Sequence, residues 1–180
     1  MANRFSAKIK RMTVSAMLIA LGVLFLFLGS LLDVLDLSTA ALASLLVVYA
    51  VLELRGAYPF ALWIGTSFLG MLLLPQKSPV LFYALFAGYY PIAKAALEKR
   101  LPRWLSWILK LIIFHVSLAL FALVLKLFFP GELSSYFETL RLPFALYGLS
   151  LVCFVLFDIL LSRLIPLYYN RLQKLLRIDK

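Results

Sequence analysis

Along most of this chain apolar residues run unbroken for longer than a soluble helix needs, and the polar positions collect in short punctuation marks. A helix crossing about 30 Å of hydrocarbon takes roughly 20 mostly apolar residues. Runs of that kind predict spans at Val14 to Leu32, Leu37 to Leu54, Tyr58 to Leu74, Val80 to Ala96, Trp104 to Phe129 and Leu142 to Ile165. Stop signals separate them: Asp33 and Asp36, Glu53 to Gly56, Pro75-Gln-Lys-Ser-Pro79, Glu98 to Arg103, and Pro130-Gly131. The expectation is an all-α integral membrane protein, one transmembrane domain over residues 1–180 built as a six-helix bundle. The second and third spans, joined by barely four polar residues, also allow one re-entrant feature.

Composition agrees. Of 180 residues 64% are hydrophobic and 14% charged, too little polar surface to solvate a globule, since soluble domains run at about a quarter charged. The net charge of +10 admits nucleic acid as a partner until the basic residues are placed. With both termini cytoplasmic, fifteen of the 18 Lys and Arg fall inside, and only Lys77, Lys126 and Arg141 outside, which is the retention pattern of a multi-pass protein of a plasma or inner membrane. Nucleic acid is then unnecessary. Tyr58, Trp104, Trp107, Tyr168 and Tyr169 fall at the inner headgroup level, and Phe129, Tyr136, Phe144 and Tyr147 at the outer one. The apolar stretch after Arg4 to Arg11 is about 19 residues, longer than a signal-peptide core, so the first span is expected to be retained. The tail 166–180 alternates Tyr168, Tyr169, Leu172, Leu175, Leu176 and Ile178 with Arg171, Lys174 and Arg177, an amphipathic surface helix on the lipid bilayer or for a partner. The external segment Pro130 to Pro143 is the one loop long enough to close over a ligand.

Little points to catalysis. One cysteine, Cys153, and one histidine, His115, exclude an internal disulfide, a cysteine cluster and a multi-histidine metal site. There is no GxxxxGK[ST] and no HExxH. Ser150 lacks the second glycine of GxSxG, and a serine in such a helix ordinarily bonds a backbone carbonyl. No inverted repeat is evident, so transport by the chain alone is not expected. The reading is a non-enzyme without cofactor or metal. The remaining candidates are polar groups at depth, functional by default in a membrane. Asp158, His115 and Lys110 fall about 6, 2 and 10 Å to the cytoplasmic side of their span midpoints, and Asp158 is expected to pair with Lys110 or His115, as a functional site or as glue between two helices. Toward the outside, Asp33, Asp36, Tyr83, Glu138, Arg141 and Tyr147 form an aromatic and carboxylate mix suited to a small polar substrate.

In the first span Ala16 and Ala20 stand four apart on one helix face, where small residues let a second helix approach. A basic start running into this AxxxA pair, six spans with both ends inside, and no ATPase motif resemble the substrate-binding S components of energy-coupling factor transporters, the prokaryotic vitamin-uptake family. The resemblance implies that the chain captures a small molecule, a vitamin or related micronutrient, on the external side. It also implies that the face of Ala16 and Ala20 meets a transmembrane coupling subunit, which engages two ATPase subunits. The alternative is a structural or assembly membrane protein of similar size, such as the MreD-like cell-shape proteins, with Ala16 and Ala20 packing internally. A third reading is a membrane enzyme acting on lipid or isoprenoid through Asp158 and His115; metal-diphosphate chemistry would call for clustered acids, and Asp33 and Asp36 are too few and on the wrong side.

Overall fold

The computed structural model describes residues 2–32, 35–54, 56–128 and 143–167. Among these the chain is helical throughout: α1 (Ala2–Leu32), α2 (Asp36–Tyr49) continuing into a π-helical turn (Ala50–Leu54), α3 (Tyr58–Leu73), α4 (Ser78–Phe82) continuing into a second π-helical turn (Tyr83–Ala87), α5 (Tyr90–Arg100), α6 (Arg103–Phe128) and α7 (Pro143–Leu167). Five stretches are long and apolar enough to cross a bilayer: Lys8–Leu32, Asp36–Leu54, Ser78–Arg100, Arg103–Phe128 and Tyr147–Pro166. Among the described residues the protein is thus all-helical, with several long apolar helices compatible with a membrane bundle. Tyr58–Leu73 is apolar but has 16 residues, about 24 Å of helix, short of the full crossing expected there.

Proline sets the boundaries. Pro59, Pro79 and Pro91 each occupy the opening positions of α3, α4 and α5, where the missing N–H would have had no helical partner. Leu74 ends α3 in an extended conformation, φ −76° and ψ 135°, the geometry that the following Pro75 imposes. Lys77 Nζ then donates to the freed carbonyls of Met71 (2.8 Å) and Leu74 (2.5 Å). Within the span expected from Val80 to Ala96, which lies inside the apolar stretch Ser78–Arg100, the helical ladder is interrupted. Pro91 has no N–H to give to the Ala87 carbonyl, and the ladder opens at Gly88, whose N–H reaches back five residues to Tyr83 O at 2.7 Å.

The chain divides into two compact units, residues 1–124 and 125–180. In the first, α1 packs against α2 and α3, and α2 against α4 and the turn Tyr83–Ala87. The core comprises Leu26, Ala40, Ala43, Val47, Ala50, Leu54, Leu62, Leu74, Val80, Tyr83 and Ala87. Lipid tails are as apolar as these side chains, so burial alone gives helices no reason to associate, and close approach has to supply the attraction. The buried face of α1 carries Ser15, Gly22 and Gly29, seven residues apart. A Cβ on Gly22 would stand 3.0 Å from Thr66 Cγ2, and one on Gly29 would collide with the Thr39 side chain, 3.0 Å from its Cβ. Hydrogen there is the condition for α1 to lie against α3 and α2. In the second unit, α7 buries Phe154, Asp158 and Leu161 at helical spacing and exposes Leu149, Val152, Leu156, Ile159 and Leu160. The segment 130–142, expected as an external loop, and the tail 168–180 lie outside the described residues.

Gly29→Leu is expected to lower stability by about 1–3 kcal/mol, the usual cost of overpacking, seen as a reduced thermal midpoint in detergent. Gly148→Ala, where a Cβ meets nothing within 4 Å, is expected to leave that midpoint unchanged or slightly raised.

Candidate functional site

Three polar groups converge where α5 meets α6. Lys94 and Glu98 are one turn apart on α5, and Nζ of Lys94 lies 3.0 Å from Glu98 Oε1. From α6, Lys110 Nζ reaches the same oxygen at 2.6 Å. Lys94 and Lys110 are 2% and 3% exposed, whereas the Glu98 side chain keeps 40% of its surface, so the carboxylate is the wetted member of the trio. The Trp107 ring lies 5.2 Å from Lys110 Nζ and adds a cation–π contact. Two long alkyl stems are thereby buried while their charges meet a shared counter-ion, an arrangement that fixes α5 to α6.

Lys110 belongs to a stripe of α6 that turns inward with Ser106, Phe114 and Ser117. Above the trio this stripe meets an aromatic wall. Phe114 stands edge-on to Phe86 at 6.1 Å, Phe121 stacks on Phe82 at 4.3 Å, and Ser117 bonds the Tyr89 hydroxyl while donating to Ile113 O at 2.7 Å. Tyr89 in turn leans on Trp63 at 5.7 Å, and Trp63 Nε1 donates to Ala84 O at 3.0 Å within the second π turn.

His115 sits about 140° round α6 from Lys110 on the exposed face, with Nδ1 2.7 Å from Leu111 O. Asp158 is 2% exposed, and its backbone carbonyl accepts from Ser162 Oγ at 2.9 Å. The expected pairing of Asp158 with Lys110 or His115 joins one unit to the other and stays an expectation. Glu98, expected only as part of a stop signal, is a carboxylate that Lys110 meets. Its signal was available, since Lys94 and Glu98 have the i, i+4 spacing of a helical ion pair.

The outer candidates separate. Asp33, Glu138 and Arg141 lie outside the described residues. Tyr147 is 43% exposed near the start of α7, where its carbonyl accepts from Ser150 Oγ at 2.8 Å. Asp36 opens α2 with its Oδ1 buried, and Thr39 next to it donates to Leu35 O at 3.0 Å. Tyr83, at the start of the second π turn, is wholly buried, with its hydroxyl beside that of Thr66, also wholly buried. Although the two are neighbours, neither hydroxyl attains hydrogen-bond geometry with a protein partner. Asp36 and Tyr83 thus stand on packed elements, and Thr66 is a neighbour the sequence reading did not single out. Among the described residues no three of His, Cys, Asp and Glu are placed to hold a metal ion.

Ala16 and Ala20 are both exposed. They face away from the stripe of Ser15, Gly22 and Gly29 that α1 turns to its own bundle. Compared with protein-family models, curated proteins and solved structures, the chain matches none.

Glu98→Gln leaves two buried lysines without their shared charge. A fully buried pair broken this way costs about 3–5 kcal/mol; with Glu98 40% exposed, a loss of about 1–2 kcal/mol is expected after solvent screening. Thermal unfolding in detergent measures it, and a midpoint equal to that of the unaltered protein would contradict a stabilising role.

Proposed function

We propose that the protein is the substrate-binding membrane subunit of an ATP-driven importer. It is a non-enzyme that takes up a micronutrient or vitamin-like molecule on the external side and passes it to a separate coupling subunit driven by two ATPases. In this reading α3 completes six crossings, both termini are cytoplasmic, and the membrane is the plasma or inner membrane. The observation that supports it is the division of α1 into two small-residue faces. Ser15, Gly22 and Gly29 serve the internal contacts, which leaves Ala16 and Ala20 exposed and available to a helix of another chain. An internal packing role for the alanine pair, which the alternative of a purely structural protein requires, has no support from that exposure. Asp36 and Tyr83, with Thr66, supply hydrogen-bonding groups on the outer half of the same bundle.

The test is co-purification from the native host at low expression. The unaltered chain is expected to bring down a membrane partner and two ATPases and to retain a metabolite of a few hundred daltons by native mass spectrometry. Ala16→Trp is expected to weaken partner recovery about tenfold, equivalent to about 1.4 kcal/mol. Leu72→Trp, a substitution at an exposed α3 position, is expected to leave it unchanged. A partner-free, ligand-free chain would instead favour the structural protein.

A further inference from the structure

The turn between α5 and α6 places an exposed cluster of cations at the head of an exposed apolar stripe. α5 ends at Lys99 and Arg100, the two-residue turn Leu101-Pro102 follows, and α6 opens with Arg103 and Trp104. Lys99, Arg100, Arg103 and Trp104 are all exposed. The neighbouring acid, Glu98, is already engaged by Lys94 and Lys110, so it is committed to those two buried ammonium groups rather than to the exposed trio. The backbone of the turn is held by Leu101 N–H on Leu97 O and Ser106 N–H on Pro102 O, both at 3.0 Å, so the basic side chains project from a fixed corner.

Below that corner Trp104, Ile108, Ile112 and Val116 follow one another at intervals of four residues, every one of them exposed. They line one flank of α6 for about 18 Å, close to the depth of one leaflet, about 15 Å. The opposite flank is the inward stripe of Ser106, Lys110, Phe114 and Ser117, so this face of the helix is left to the surroundings. A guanidinium pair offers paired N–H donors that match phosphate oxygens. A tryptophan at the top of the stripe suits the headgroup boundary.

We infer that the α5–α6 corner is a binding site for an anionic phospholipid, with the phosphate held between Arg100 and Arg103 and an acyl chain lying along Trp104, Ile108, Ile112 and Val116. Zwitterionic lipids share the acyl chain but carry a compensating cation in the headgroup, which the arginines repel. Selectivity therefore belongs to the headgroup. The inference is independent of the importer reading.

The test uses the full-length protein in detergent, titrated with dioleoyl phosphatidylglycerol or dioleoyl phosphatidylcholine and read by native mass spectrometry. Phosphatidylglycerol is expected to be retained about tenfold better, since basic residues near the headgroup level attract an anionic lipid. The double variant Arg100→Gln/Arg103→Gln is expected to lose that preference. Lys8→Gln/Lys10→Gln, which removes the same charge from exposed positions on α1, is expected to keep it. A second readout is quenching of tryptophan fluorescence by brominated phosphatidylglycerol, expected to exceed that by brominated phosphatidylcholine and to fall in the arginine variant. Equal retention of the two lipids, or equal loss in both double variants, would overturn the site, the latter by showing that bulk charge alone attracts the lipid.

Discussion

A peptide N–H or C=O in hydrocarbon has no water to bond, and each one left open costs several kcal/mol. This constraint decides more of the structure than any side-chain contact. It forces the described chain into helices, and it then governs every place where a helix must stop or bend. Pro59, Pro79 and Pro91 stand at helix starts, where a missing N–H leaves nothing unbonded. At the end of α3, Lys77 bonds two carbonyls that Pro75 has orphaned. Where Pro91 opens the ladder within a span, the chain widens into a π turn and Gly88 N–H finds Tyr83 O. Such turns occur often at functional sites, and this one begins at Tyr83, whose buried hydroxyl faces Thr66.

Helix association is a second problem, because a bilayer provides no hydrophobic reason for two apolar helices to meet. The first unit answers it with shape at α1 and with charge at α5. Gly22 and Gly29 bring backbones within reach of Thr66 and Thr39, so dispersion over a long contact does the holding. Glu98 holds α5 to α6 through its 2.6 Å ion pair with Lys110, while Lys94 braces the same carboxylate from within α5 at 3.0 Å; the low dielectric around the lysines strengthens these contacts and the partial exposure of Glu98 makes them tolerable.

The apolar runs were legible from the sequence because membrane thickness imposes a length that few other constraints mimic. The starts at Asp36, Tyr58 and Arg103 fall within a residue of the predicted spans. The break at Gly88 was not legible, although Pro91 was in view, because the run around it remains apolar and hydropathy does not register a missing N–H. The internal contacts of α1 are illegible in the sequence for a related reason. Alanine at i and i+4 is a recognised pattern, whereas Ser15, Gly22 and Gly29 recur at seven, and only the partner side chains Thr39 and Thr66 reveal which spacing faces inward. Lys110 was found by its depth, but its partner Glu98 sits at the edge of a span, where acids are expected for solvation and attract no notice.

The two spacings on α1 carry the argument from packing to function. A helix of this length presents about 3.6 residues per turn, so the stripe through residues 15, 22 and 29 and the pair at 16 and 20 diverge around it. If both served internal packing, α1 would have to be enclosed on two sides. Instead Met12, Met17, Leu21, Leu24, Leu28 and Leu31 are exposed along with Ala16 and Ala20, so one side of the helix faces out of the bundle. Within that outward surface the bulky residues suit lipid, which fills gaps of any shape. Small residues four apart let the backbone of another helix come close, and on α1 that alanine pair lies on the exposed side, away from the stripe of Ser15, Gly22 and Gly29.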